Sequence, residues 1–206
     1  MTTGVVVRGN LATGSDRDGL LIFGNRNIVR DNQAIGNTQT GFFVTGSEHE
    51  VLDNQAVSNG GPGYWINGST HIVRRNLAVD NGSEGVLVRG EGHTFSRNVL
   101  VGNRGSGIVA GSAGLVFRRN DIYGNSSVLN PYLANCGLVN NSAGTITATD
   151  NFWGAESGPG SDPADEVCET AGGNTIVEPY ALHEIRLPVD PPLAPSLATD
   201  PLMERE

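Results

Sequence analysis

Apolar residues along this chain come in short blocks, and the blocks repeat at a fixed step. Val7, Val29, Val51, Val73, Phe95 and Phe117 stand 22 residues apart, and so do Ala12, Ala34, Ala56, Ala78, Leu100 and Ile122. Polar punctuation keeps the same step. Asn32, Asn54, Asn76, Asn98 and Asn120 continue a series begun at Asn10, and a second series runs Asn37, Asn59, Asn81, Asn103 and Asn125. Gly19, Gly41, Gly63, Gly85 and Gly107 each precede a run of strand character: LLIF, FFVT, YWIN, VLVR and IVAG. Self-similarity sustained at such a period is the mark of a repeat architecture.

One period predicts three short strands. In the second unit these are residues 20–23, 28–31 and 33–35, with a turn at 24–27, a bend at Asn32 and a looser turn leading to Gly41. No window carries the i, i+3, i+4, i+7 apolar stripe of a helix, and glycine recurs too often for one. Antiparallel hairpins are disfavoured because a fixed step stacks each residue on its own equivalent. The pattern therefore predicts an all-β solenoid, a right-handed parallel β-helix of about six to seven coils with three short strands per coil. Neighbouring coils of such a helix lie ~4.8 Å apart.

The organisation expected is a β-helix over 1–151, a carboxy-terminal cap over 152–186 and a Pro-rich extended or disordered tail over 187–206. The first coil lacks its strand one, so the chain reads as a fragment or as the later part of a longer protein. Its uncapped amino-terminal edge invites self-association. Near the other end the repeat loosens. The next strand-one glycine after Gly107 is Gly137, 30 residues on, and the extra residues fall around 127–135. Phe152 and Trp153 are expected to fold over the open end of the core.

Alternation assigns the faces of strand one. Tyr64 and Ile66 point inward with their equivalents, which leaves Leu21, Phe43, Trp65, Leu87 and Val109 pointing outward. Asparagine at the bend tolerates a left-handed backbone, and stacked amides can hydrogen-bond from coil to coil. Asn32, Asn54, Asn76, Asn98 and Asn120, like Trp153, are accordingly read as structural.

These repeats, from GLLIFGNRNIVRDNQAIGN onward, resemble the right-handed parallel β-helix proteins of the pectate-lyase-like superfamily. The stretch DNFWGAESGPGSDPADEVC resembles the terminal segment of many secreted bacterial β-helix proteins. The resemblance implies the fold over about residues 5–180. It leaves function open, because the superfamily holds lyases, hydrolases, epimerases and modules without known activity. It also includes a periplasmic accessory protein of nitrous-oxide reductase linked to copper. Cys136 and Cys168 read as a disulfide clamping the cap, contributing about 3 kcal/mol, or as two unpaired core residues. The exported character of the family type favours the disulfide.

Charge narrows the partners. Thirteen arginines, no lysine and 22 carboxylates give a formal charge of −9, which disfavours nucleic acid and anionic membrane surfaces. No apolar run approaches the ~20 residues of a membrane span, so no insertion is expected. The start of the chain carries no signal-peptide pattern, yet the resemblance implies an extracellular, cell-surface or periplasmic setting.

Two features could carry chemistry. His49, His71 and His93 lie 22 apart and stack in adjacent coils above Asn27, with Glu48, Glu50, Glu91 and Arg89 nearby. Imidazoles so placed could hold a divalent metal such as Zn or Cu, or act as acid and base. The column could equally be a turn position whose residues bond their neighbours, as Asn27 suggests. The outward column Leu21, Phe43, Trp65 and Leu87 is an apolar strip fit for a polysaccharide or a protein surface. Asp31, Asp53, Arg75, Arg97 and Arg119 form a mixed column read as surface ion pairing. Asp162, Asp165 and Glu166 read as a solvated turn, or else as a Ca²⁺ site. The expectation is a non-catalytic module binding polysaccharide or protein through its strand-one face. A polysaccharide lyase or epimerase and a metal-handling protein are the alternatives.

Overall fold

The computed structural model describes residues 3–127 and 130–185. The chain winds as a right-handed parallel β-helix whose wall is three parallel sheets, called here A, B and C in their order within a complete coil. Sheet A has seven strands, including Leu20–Asn25, Phe42–Ser47, Tyr64–Ser69 and Val86–Glu91; sheet B has eight and sheet C six. Every regular pairing joins residue i to residue i+22, for example Phe43 to Trp65 and Val51 to Val73. The period in the sequence is thus the circumference of the coil.

Coils with all three strands number about five rather than six to seven. Sheet C ends at Asp121–Tyr123, so the turns that follow contribute only to sheets A and B. In those turns the residue after Asn120 is met by Phe152 through an isolated bridge instead of a strand. The segment expected as a cap supplies two more parallel strands, Glu166–Glu169 on sheet A and Asn174–Ile176 on sheet B. Trp153 is fully buried within the core. Cys136 and Cys168 form a disulfide between neighbouring sheet A strands, with Cα atoms 5.8 Å apart. The Pro-rich tail, 187–206, lies outside the described residues.

The core is a set of stacked columns. Val29, Val51 and Val73 rise on sheet B, Ala34, Ala56 and Ala78 on sheet C, and Phe42 stacks on Tyr64 at 4.9 Å on sheet A. Phe95 and Phe117 stack at 4.8 Å where valine gives way to phenylalanine. Like on like is the only arrangement a fixed step allows, and it packs well because each residue meets its own shape.

Corners turn the chain by one device used three times per coil. A residue in the left-handed region points outward, and the next residue points into the coil. At the B–C corner the left-handed residues are Asp31, Asp53, Arg75, Arg97 and Arg119, with φ between 55° and 56°. The sequence reading gave that conformation to the asparagines. The residue before each asparagine carries it instead, and the turn it makes swings the asparagine inside. Sheet A strands also run further than expected, through Gly24 to Asn25, because glycine there holds φ of 106° without leaving the ladder. At the equivalent Gly68 a Cβ would run into the Gly46 carbonyl oxygen, so a side chain there would push the coils apart.

Candidate functional site

Three polar spines run inside the corners. At the B–C corner, Asn54 donates its backbone N–H and its Nδ2 to Asn76 Oδ1, both at 3.0 Å, and Nδ2 also reaches Val29 O at 2.8 Å. Asn32, Asn76, Asn98 and Asn120 repeat this scheme, and all five are buried. The C–A corner repeats it with Asn37, Asn59, Asn81, Asn103 and Asn125. That second spine ends on Asp165. Its Oδ2 accepts the Asn125 N–H at 3.2 Å and Asn125 Nδ2 at 2.9 Å, and burial pushes the carboxyl up to about 6. Asp165 is therefore part of the interior, while Asp162 and Glu166 are exposed, so the solvated-turn reading fails at its middle residue.

The third spine, at the A–B corner, holds the histidines. Their rings stack at 4.9 and 4.7 Å, nearly parallel, and each is fully buried. The N–H of Asn27 donates to His49 Nδ1, that of His49 to His71 Nδ1 and that of His71 to His93 Nδ1, at 3.0–3.1 Å. Nδ1 is an acceptor in all three, so the proton sits on Nε2, which lies 3.1–3.2 Å from the carbonyl of the residue four before. Both nitrogens of each ring are thereby spent on the coil. Burial lowers His71 to about 4 and lowers His93 as well.

The sequence reading put these histidines and the glutamates on one ridge. The wall of the coil separates them. Glu48 holds the outward, left-handed corner position and pairs with Arg26 at 3.1 Å, and Glu50 and Glu91 are exposed. Arg89 is exposed too, and lends only its carbonyl to His93. Among the described residues no group of three or more His, Cys, Asp or Glu is arranged to hold a metal ion.

The outward strip of sheet A lies where alternation put it. Tyr64 and Ile66 are buried, and Trp65 between them faces out, half-buried by its neighbours. Phe43 and Trp65 sit 5.4 Å apart with rings tilted by 60°. Leu21 is 52% exposed, and Leu87 and Val109 continue the column beyond Trp65. The sequence reading missed Phe23, 55% exposed and 6.1 Å from Phe43, which widens the strip diagonally. Its outward phase, two residues beyond Leu21, was the available signal.

A second feature unseen in the sequence lies near the other end. Asp121, in the outward column of sheet C, is nearly fully buried beneath the chain at 182–185, where it accepts the Ile185 N–H at 2.9 Å. Burial raises it to about 6, and burial raises the neighbouring Tyr123 to about 12, helped by a hydrogen bond with Glu184.

The family described as "Periplasmic copper-binding protein (NosD)" matches residues 1–158. Among solved structures, the A-module of Azotobacter vinelandii mannuronan C-5 epimerase AlgE4 superposes with a TM-score of 0.63 at 18% identity, over 93% of this chain and 59% of that one. The AlgE6 A-module from the same organism gives 0.63 at 17% identity, over 90% and 60%. The chain thus spans about three fifths of the structures it resembles, and at this identity the likeness is one of fold. No curated protein sequence matches.

Proposed function

Because the chain belongs to the NosD family of parallel β-helix proteins, we propose that it is a periplasmic or extracellular module that binds polysaccharide on the outer face of sheet A. The observation that carries this reading is the strip Phe23, Phe43, Trp65 and Leu87. It is a continuous apolar surface on a flat wall, built from rings whose faces suit the C–H faces of a sugar. A disulfide fits an oxidising compartment, and the epimerase modules show that this wall geometry can serve proteins named for action on mannuronan. Tryptophan fluorescence titrated with a panel of neutral and acidic polysaccharides tests it. Trp153 is buried, so a ligand on this strip should change the emission of the parent but not of Trp65→Phe. A panel that leaves emission unaltered throughout retires the strip as a binding face.

A second reading, copper handling, is favoured by the family's description. The histidines do not suit it, because both ring nitrogens of each are bonded within the coil. Adding Cu²⁺ to the purified protein should leave Tm unchanged in the parent and in His71→Asn alike. A rise in the parent that the variant loses would restore the metal reading.

A further inference from the structure

The vertex between sheets B and C, opposite sheet A in the order of the wall, gathers arginine in an acidic protein. The last outward position of sheet B is Arg8, Arg30, Leu52, Arg74, Ser96 and Arg118 in successive coils, held in register by strand pairing. The left-handed corner residue that follows is Asp31, Asp53, Arg75, Arg97, Arg119 and finally Asp150. Seven of the chain's 13 arginines therefore share one edge with three aspartates, while the rest of the chain holds six arginines against 19 carboxylates. Asp31 pairs with Arg8 and Asp53 with Arg75. Among the described residues Arg30, Arg74, Arg97, Arg118 and Arg119 form no ion pair. Arg74, Arg97, Arg118 and Arg119 are exposed. Arg74, Arg75, Arg97, Arg118 and Arg119 occupy three consecutive coils, flanked by Ile72 on sheet B and by Leu77 and Val99 on sheet C.

The geometry points to a binding site for a linear carboxylated polysaccharide along this vertex. Like charges stacked at the coil spacing of ~4.8 Å repel one another unless a counter-charge lies between them. Guanidinium groups suit carboxylates through paired N–H donors. Charge together with flanking apolar contact selects the polymer. Acidic side chains on one face of an extended peptide recur every ~6.7 Å, two residues of strand. Phosphates of duplex DNA advance ~3.4 Å along each strand. A chain of linked uronic acid units carries one carboxylate per sugar and presents ring faces between them, to which Ile72, Leu77 and Val99 offer apolar contact. This site is independent of the strip on sheet A.

Binding of polygalacturonate by the full chain, measured by calorimetry at low salt, tests the proposal beside dextran, an acidic peptide and a DNA oligonucleotide. The parent should bind polygalacturonate and not dextran at this site, with affinity falling as salt rises. The triple variant Arg74→Gln, Arg97→Gln, Arg119→Gln should weaken that binding at least tenfold with its Tm unmoved, since all three side chains are exposed. Trp65→Ser should leave the salt-dependent part intact, so the vertex and the strip can fail separately. The proposal is overturned if the parent ignores polygalacturonate, if the triple variant binds it undiminished, or if the peptide or the oligonucleotide binds more tightly.

Discussion

The histidine corner and the aromatic strip are both stacks of rings at a 22-residue step, one on each side of the same wall. Inside, every ring nitrogen of His49, His71 and His93 has a partner one coil or four residues away. Outside, Phe43 and Trp65 touch each other and leave a face to solvent. Periodic stacking is therefore what the fold makes of any column, and it says nothing about use. The distinction lies in whether the bonding capacity of the column is consumed. The corner is spent and the strip is not.

The inner spines should break first. Asn76→Leu strands the Asn54 N–H, one hydrogen of Asn54 Nδ2 and the Val51 carbonyl, all buried, while Asn98 Oδ1 keeps the backbone N–H of residue 76. At ~1–3 kcal/mol for each unsatisfied group, the loss should reach about 4 kcal/mol or more, a fall in Tm of about 10 °C. Calorimetric melting of the variant within a degree of the parent would remove the spine from the account. His71→Leu strands two groups, the His49 N–H and the Asn67 carbonyl, and should cost about 3 kcal/mol. His71→Asn should cost under about 1 kcal/mol, because Asn27 already serves in that column.

Acid should sharpen the same contrast. His71 binds its proton less readily folded, at about 4, than unfolded, at its ordinary 6.5. Its contribution to stability is then complete above pH 6.5 and is lost as pH falls towards about 4. Asp121 and Asp165 work the other way. Raised from 3.8 to about 6, they contribute fully below pH 3.8 and lose that contribution as pH rises through about 6. The parent's own pH curve is a partial cancellation, so the informative quantity is a difference. His71→Asn should gain on the parent between pH 7.5 and pH 4.5 in denaturant titrations. An unchanged difference would mean that His71 is not held neutral by the coil.

The smallest effect on folding belongs to the strip. Trp65→Ser removes a half-buried side chain from the outer face and should cost about 1 kcal/mol or less. If it unfolds the protein, the strip is part of the framework and the comparison collapses.

The walls of this fold were legible in the sequence because alternation within a strand assigns each residue a side, and repetition checks the assignment five times over. Tyr64, Trp65 and Ile66 are in, out and in as read. Corners were not legible in the same way. A left-handed residue interrupts alternation, so Leu52 and Asp53 are adjacent yet both face outward before Asn54 turns in. Asparagine suits both the left-handed position and the inward rung, and its column cannot say which it fills. The clue to the histidines was Asn27 in their own column, a residue type shared with the other two spines. Asp165 gave no clue, since it stands 40 residues after Asn125 and outside any period.

The spines have a bearing on how such a protein can be altered. The rung from Asn120 to Asn151 spans 31 residues and that from Asn98 to Asn120 spans 22, yet each closes at 2.9 Å. Extra chain has been accommodated between rungs without any change in the pitch of the ladder. Splicing is therefore permitted wherever the insert begins and ends on consecutive rungs, and a foreign loop placed between Asn103 and Asn125 should be carried as a side branch. Whole 22-residue units are the other allowed increment, so the length of the molecule is quantised while its girth can vary freely at chosen points.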